Sequence, residues 1–362
     1  MKIAFITRST LNKVPGGDTE QVLQTMRFLQ QMGVGVDLYL TTEKIDYNQY
    51  DLIHAFNITR PADILYHINK SAIPVVVSTI LVDYNEFDTH YRNGMPGLVL
   101  RLFPAGTNEY IKTVARWMLQ KDSLRSKSFL WKGQDKSIRE IIHKAGWLLP
   151  NSNAEYKELE LRYGIRKAYS IIPNGVDNDL YTMSAKFEKN KKLVLSAARI
   201  EGRKNQLNLI RAMNNTEYTL LLTGLPAPNQ RKYYEACKKE AARNIIFCGR
   251  VPINTLISYY GRAGVHALPS WHETCGLSSL EAAAMGCNVV ITDKGFTREY
   301  FGDEAFYCDP GNPASIYQAV VQAAGSAPPR KLQEKVLQHY TWQQAATTTL
   351  QAYKNILGAC KN

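Results

Sequence analysis

The sequence lacks any apolar run of the ~18–20 residues that a helix needs to span a bilayer. Its longest candidates, Ile73–Val82 and Ala282–Thr292, are shorter and interrupted by polar residues. The apolar start Met1–Ile6 reaches Arg8 too soon to form the core of a signal peptide. These absences argue against an integral membrane or secreted protein and predict a chain that stays in the cytoplasm.

Two kinds of motif are also missing. The 6 cysteines form no Cys-x-x-Cys pair, and histidines do not cluster near them at metal-ligand spacing. We therefore interpret them as reduced thiols that mostly fill the core, which argues against a disulfide framework or a zinc site. The pattern Gly-x-Gly-x-x-Gly is absent as well, and this argues against an NAD-dependent dehydrogenase.

Acidic residues are fewer than basic ones: the chain has 32 Asp and Glu and 44 Lys and Arg, which gives a net charge of +12. A surplus of this size favours an anionic partner. It is concentrated in residues 94–139, where apolar residues are interleaved with the basic ones. One interpretation of this segment is a surface that contacts an anionic membrane. The other is a set of helices that cover a sheet and point Lys and Arg toward water. Recognition motifs for nucleic acid are not evident.

At 362 residues, with 45% hydrophobic and 21% charged residues, the chain is long enough for two globular domains. In its first half, apolar segments such as Leu52–Ala55 and Val75–Thr79 alternate with helical stretches. This rhythm is typical of an open parallel sheet, in which ligands bind at the carboxyl ends of the strands. Asn57, Thr79 and Asp83 lie at or just past such ends, and we expect them near a ligand.

A loop with the sequence Pro15-Gly16-Gly17 joins the first strand, Lys2–Thr7, to a helix from about Thr19 to Met32. Glycine permits close backbone contact, so this loop is suited to approach a phosphate or a sugar. An ordinary turn is the alternative interpretation of the same residues.

The most informative stretch is Leu268–Gly286. Pro269 ends an apolar strand there, a polar loop with Glu273 follows, and a helix that contains Glu281 begins near Gly276. The first backbone N–H groups of a helix lack helical partners and attract phosphate. Here they belong to Cys275, Gly276, Leu277 and Ser278. Because carboxylates accept hydroxyl groups, this layout suits a ligand with a sugar at each end and phosphates between them, as in a nucleotide-sugar.

Two cations accompany this motif. Arg199 and Lys204 lie five positions apart in the loop that follows the apolar strand Leu193–Ala197. Arginine offers a fork of donors and lysine a point charge, so the pair is suited to hold a diphosphate from one side.

The spacing Glu273-x7-Glu281, preceded by Pro269-Ser270 and containing Gly276-Leu277, resembles the signature of the retaining glycosyltransferases of family four. The resemblance extends over nearly the whole chain. It implies an α/β protein of the GT-B fold, with two Rossmann-like parallel-sheet domains facing a cleft. The implied acceptor-side domain comprises residues 1–170 and a C-terminal helix at 343–362, and the implied donor-binding domain comprises residues 171–342.

The resemblance also implies roles for individual residues. Arg199 and Lys204 neutralise the leaving diphosphate, Glu273 binds hydroxyls of the donor sugar, and Glu281 binds the ribose. The other donor-binding residues that it implies are Gly276, Leu277, Ser278, Cys275, Gly17, Arg250 and Val251, the last two at the nucleobase. The acceptor-side candidates are Asp83, Thr79 and Asn57.

The expected function is transfer of a sugar, with retention, from a nucleotide-sugar to a glycan or lipid-linked acceptor in polysaccharide or glycoconjugate synthesis. A UDP-sugar is favoured over a GDP-sugar, and no cofactor or metal is expected because Lys and Arg neutralise the diphosphate. The expected location is the cytoplasm, with peripheral membrane contact as the open question for residues 94–139. The alternatives are a GT-B sugar phosphorylase, a nucleotide-sugar epimerase, a donor-binding module without activity and a basic nucleic-acid-binding protein.

Overall fold

The computed structural model describes residues 1–91, 107–119, 124–181 and 187–359. They divide into two compact units. Unit 1 contains Met1–Pro173 and the C-terminal segment that begins at Trp342, and unit 2 contains Asn174–Thr341.

The described residues of unit 1 form a five-stranded parallel sheet in the order β2-β1-β3-β4-β5. The strands are β1 (Lys2–Thr7), β2 (Gly35–Leu40), β3 (Leu52–Phe56), β4 (Val75–Ser78) and β5 (Trp147–Leu149). Strands β3 and β4 are buried along their whole length, as expected for a parallel sheet that is covered on both faces.

Helices of unit 1 connect these strands or cover them. They are α1 (Gly17–Gln31), α2 (Pro61–Lys70), α3 (Asn108–Met118), α4 (Phe129–Lys144), α5 (Asn153–Tyr163) and the C-terminal helix, α14 (Trp342–Ala359). Helix α14 packs against α1, and the hydroxyl of Tyr353 lies 2.6 Å from Nδ1 of the buried His54 on β3. This contact fastens the returning C-terminal helix to the sheet of unit 1. Burial lowers the pKa of His54 to about 3, so its imidazole is neutral.

The described residues of unit 2 form a six-stranded parallel sheet in the order β11-β10-β9-β6-β7-β8. The strands are β6 (Asn190–Ala197), β7 (Thr219–Thr223), β8 (Ile245–Gly249), β9 (Ala263–Leu268), β10 (Asn288–Thr292) and β11 (Phe306–Cys308). Alternate residues of the strands join two apolar clusters, with Leu195 and Ile291 in one and Val194 and Val290 in the other. The sheet is therefore covered on both faces.

The helices of unit 2 follow the strands in the βα rhythm that the sequence predicts. They are α6 (Asn178–Tyr181), α7 (Gln206–Met213), α8 (Arg231–Glu240), α9 (Ile253–Arg262), α10 (Leu277–Ala284), α11 (Thr297–Phe301), α12 (Pro313–Gly325) and α13 (Arg330–His339). Helix α12 packs against α7, and α13 packs against α10.

Among the helices that the structure describes, none has both the length and the apolar character that a bilayer span requires.

Candidate functional site

The strand order of unit 2 reverses between β6 and β9. From β6 the chain moves outward through β7 and β8, and it then returns to the other side of β6 as β9 before continuing through β10 and β11. In parallel α/β sheets such a reversal opens a crevice beyond the carboxyl ends of the two strands, and ligands bind there. The two loops that the sequence singles out begin at the carboxyl ends of these two strands. One follows β6 and carries Arg199 and Lys204, and the other follows β9 and carries Glu273.

Local sequence ends strand β9 and starts the helix that follows its loop. Pro269 lacks the N–H group that a ladder needs, so β9 ends at Leu268. Helix α10 begins after Gly276, whose φ of 67° is a left-handed conformation that glycine adopts without strain. Ser279 and Leu280 are hydrogen-bonded through their N–H groups to the carbonyl of Gly276. The N–H groups of Leu277 and Ser278 precede these bonds and stand at the positive end of the helix dipole.

Lys204 and Glu273 form an ion pair between the two loops. The distance from Lys204 Nζ to Glu273 Oε1 is 2.5 Å, and the side chain of Glu273 is buried. Trp271 reinforces the junction, because its backbone N–H donates to the carbonyl of Arg203. The structure thus brings two of the predicted catalytic residues into direct contact.

Arg199 has a carboxylate partner within its own loop. Its Nη2 lies 3.1 Å from Glu201 Oε1, and about a third of the Arg199 side chain is exposed. Gln206 donates to the Arg199 carbonyl at 2.8 Å and thereby holds the backbone. Both cations therefore carry a carboxylate counter-ion and lie at the reversal of the sheet.

Asn205 and Gly295 brace the two loops. The amide of Asn205 donates to the carbonyls of Pro269 and Pro310, which joins the β6 loop to the β9 loop. Gly295 pairs with Glu273 in a single parallel bridge, beside a hydrogen bond from Phe296 N–H to the Glu273 carbonyl. Gly295 has φ of 98°, and a Cβ atom there would lie 2.0 Å from the Glu273 carbonyl oxygen. Only glycine allows this approach to the backbone of Glu273.

The second carboxylate of the motif lies within α10. Glu281 is half-buried, and its Oε2 accepts a hydrogen bond of 2.8 Å from the hydroxyl of Tyr260, a fully buried residue of α9. Tyr260 belongs to no sequence motif, so the sequence analysis did not single it out. Only the packing of α9 against α10 shows that it contacts Glu281.

Cys275 contributes no nucleophile. Burial raises the pKa of its thiol to about 12, and Asn174 Nδ2 lies 3.5 Å from its sulfur. A thiol with this pKa stays neutral near pH 7. Because the side chain is buried in the core of unit 2, Cys275 can meet a ligand only through its backbone.

The predicted nucleobase residues lie at the end of another strand. Arg250 is exposed and Val251 is half-buried, directly after Gly249, the last residue of β8. Strand β8, which they follow, lies two strands away from β6 in the sheet order, whereas Glu273 follows β9, which is adjacent to β6.

The sequence also contains Asp177-Asn178-Asp179, a spacing of acidic residues that occurs in metal-dependent enzymes. In the structure Asp177 Oδ1 accepts from the N–H of Asp179 at the start of the short helix α6. Within the described ranges of the chain, no group of three or more His, Cys, Asp or Glu residues is arranged to hold a metal ion.

The glycine loop of unit 1 also lies at a reversal of strand order, between β1 and β3. Gly17 is exposed at the first position of α1. Arg8, which the sequence analysis missed as a functional residue, contacts the loop at both ends: it donates to the carbonyls of Thr10 and Val14 and to Asp18. Although burial raises the pKa of Asp18, the bonds and charge of Arg8 hold it below its usual value. The loop is therefore a fixed structure.

The three acceptor-side candidates differ in exposure. Thr79 requires a correction, because it is fully buried and donates its hydroxyl to Glu155, so that this group serves the interior of unit 1. The side-chain oxygen of Asn57 accepts from the N–H of Thr59 and closes a turn. Asp83 remains half-exposed and lies 3.1 Å from Arg162. Asp83 and Arg162 line a cavity of about 20 Å³, the size of one water molecule or hydroxyl group.

Residues 94–106 and 120–123 of the basic segment lie outside the described residues. In the remainder, several cations have acidic partners: Lys112 contacts Asp88 at 2.6 Å, and Lys132 contacts Glu140 at 2.6 Å. Large apolar side chains are nevertheless exposed, namely those of Trp117, Met118, Leu119 and Trp131.

We expect Gly295→Ala to displace Glu273 and to lower the melting temperature by about 5–10 °C. The new Cβ would clash with the backbone of Glu273, and the positive φ of this position is strained for alanine. Gly325→Ala is the matched control, because a Cβ at Gly325 meets nothing within 4 Å. Thermal denaturation checks both variants. A wild-type melting temperature for Gly295→Ala would show that the contact does not constrain Glu273.

The family model described as "Glycosyl transferases group 1" matches residues 178–335. Among curated proteins, glycogen synthase of Mycobacterium tuberculosis is 27% identical over 197 residues, which are 51% of this chain and 48% of the relative. The match thus spans about half the length of that relative.

Solved structures match over almost the whole chain. Sucrose-phosphate synthase from Thermosynechococcus elongatus superposes with a TM-score of 0.75 at 16% identity, covering 99% of this chain and 100% of the other. Anabaena Alr3699/HepE in complex with UDP and glucose superposes with a TM-score of 0.67 at 15% identity, covering 98% and 100%. The GT-B fold that the sequence predicts is therefore confirmed. Residues 178–335 thus resemble the glycosyl transferases group 1 family.

Proposed function

We propose that the chain is a retaining glycosyltransferase that moves a sugar from a nucleoside-diphosphate sugar to a hydroxyl of a glycan or lipid-linked acceptor. The observation that carries this proposal is the set of groups at the strand reversal of unit 2. Arg199, Lys204 and the start of α10 supply positive charge there, and Glu273 adds a buried hydrogen-bond acceptor.

The ion pair between Lys204 and Glu273 suggests how the donor enters. The diphosphate replaces Glu273 as the counter-ion of Lys204, and the carboxylate of Glu273 becomes available to the hydroxyls of the sugar. Arg199 exchanges Glu201 for phosphate in the same way. In these exchanges each cation keeps an anionic partner, and the carboxylate of Glu273 keeps hydrogen-bond donors in the hydroxyls of the sugar, which limits the cost of taking these charges out of water.

Departure of the nucleotide leaves an oxocarbenium-like sugar and places negative charge on the diphosphate. Arg199, Lys204 and the N–H groups of Leu277 and Ser278 stabilise that charge. In this proposal the acceptor hydroxyl attacks from the face that the leaving group vacates and gives its proton to the departing diphosphate, and the configuration is retained. Glu281 binds the ribose, and Arg250 with Val251 contacts the base.

We assign the chemistry to these cations without a metal, since a lysine and an arginine can neutralise the diphosphate. Inactivation by EDTA with recovery on adding Mn²⁺ would contradict this assignment. On the acceptor side, Asp83 is the favoured residue because its carboxylate lines a cavity that fits one hydroxyl group. A UDP-sugar is the favoured donor. Alr3699/HepE, which shares the fold, has been crystallised in complexes with UDP and with UDP-glucose.

The proposal is tested by thermal denaturation with a panel of UDP-, GDP- and ADP-sugars. A ligand that binds only the folded state raises the melting temperature by mass action, equivalent to about 2.7 kcal/mol at 100 times its dissociation constant. We expect one nucleotide series, that of UDP, to produce the largest shift. A flat response to all three series would contradict the proposed donor site.

Lys204→Ala should lower kcat/KM by about 10²-fold or more, because one preorganised charge donor contributes about 3–4 kcal/mol in the transition state. Lys192→Ala is the matched control, as Lys192 is an exposed lysine of the same unit that pairs with Glu217. Initial rates of sugar transfer measure both variants. Turnover of Lys204→Ala at the wild-type rate would remove Lys204 from the site.

We also propose that the described part of segment 94–139 docks on an anionic bilayer through Trp117, Met118, Leu119 and Trp131. The protein should sediment with phosphatidylglycerol vesicles at low salt, and Trp131→Ser should reduce the bound fraction several-fold. Leu161→Ser is the control, since Leu161 is also a highly exposed apolar residue and lies on α5, outside the segment. Absence of wild-type sedimentation would exclude this partner.

A further inference from the structure

Tyr260 occupies an unusual position for a tyrosine. It lies on α9 with its ring and hydroxyl completely buried in the core of unit 2, between the rings of Tyr181 and His266 at 6.2 and 5.9 Å. A buried hydroxyl needs a hydrogen-bond partner. The partner of Tyr260 is the carboxylate of Glu281, at 2.8 Å.

The direction of this hydrogen bond is determined. Burial raises the pKa of Tyr260 well above its usual value, so the phenol keeps its proton. A carboxylate accepts, and the hydroxyl therefore donates to Oε2 of Glu281. Because a carboxylate is planar, a bond that fixes one of its oxygens also fixes the direction of the other.

Tyr260 itself has little freedom to move. Its backbone carbonyl accepts from Lys189 Nζ at 2.7 Å, and the same carbonyl lies 3.1 Å from the Cys287 sulfur. The helix that carries Glu281 ends within the same cluster, since Met285 and Cys287 belong to the apolar core that surrounds Tyr260. The phenol is thus a rigid donor behind a half-buried carboxylate.

We propose that Tyr260 is a positioning residue for nucleotide recognition: by holding the carboxylate of Glu281, it sets the preference of the site for a ribose with both hydroxyl groups. This rests on the proposed function, in which Glu281 binds the ribose. A carboxylate held in one orientation accepts the two neighbouring ribose hydroxyls together. Removal of the phenol hydroxyl takes away the donor that holds Oε2, and this geometric selection is weakened.

The experiment measures dissociation constants for the nucleoside diphosphate that stabilises the wild type most and for its 2′,3′-dideoxy counterpart. We expect the wild type to prefer the ribonucleotide by about tenfold or more, because a site built to bind hydroxyls rejects analogues that lack them. Tyr260→Phe should reduce this ratio to about threefold or less and leave the affinity for the dideoxy compound within about twofold. A merely structural role would weaken both ligands equally.

Tyr353→Phe is the matched control. Tyr353 is equally buried, its hydroxyl is hydrogen-bonded to His54, and it belongs to unit 1. This variant should lose stability but keep the wild-type ratio. Glu281→Gln retains the shape of the partner side chain and should abolish the ratio whether or not Tyr260→Phe folds.

A wild-type ratio in Tyr260→Phe, or in Glu281→Gln, would overturn the inference while leaving the nucleotide site in place. A wild-type protein that binds none of the nucleotides would instead overturn the proposed function. The two failures are therefore distinguishable.

Discussion

The ion pair between Lys204 and Glu273 joins the two loops on which the candidate site depends. The loops leave β6 and β9, which are adjacent in the sheet although the paired residues lie 69 positions apart in the sequence. Glu273 is buried, so that loss of its cationic partner would leave an uncompensated charge in the interior. The pair therefore contributes to the fold while it holds both side chains at the strand reversal of unit 2.

Several backbone contacts keep these loops in place where regular secondary structure ends. Asn205 joins the carbonyls of Pro269 and Pro310, and Gly295 lies against the backbone of Glu273. Such contacts hold the loops of the candidate site in place. This bracing suits the proposed sugar transfer, since donors that must reorganise during a reaction stabilise charge less well.

Unit 1 shows a comparable organisation with different chemistry. Arg8 fixes the glycine loop after β1, and Glu155 joins the ends of β4 and β5 by accepting from Leu81 N–H and Asn151 N–H. Polar groups are thus used inside unit 1 to shape the carboxyl edge of its sheet. Asp83 is left half-exposed at that edge, which is why it is favoured over Thr79 for contact with an acceptor.

The sequence by itself determined the alternation of strands and helices, the parallel α/β class and the local chemistry of Leu268–Gly286, because these follow from apolar periodicity and from residues close together in the chain. It also predicted site roles for Arg199, Lys204, Glu273 and Glu281, through the resemblance to a known family. Only the tertiary structure decided which groups meet: Lys204 with Glu273, Tyr260 with Glu281 across 21 positions, and Thr79 with the interior. The physical reason is that strand order and helix packing, which no local pattern encodes, bring distant residues to one edge of the sheet.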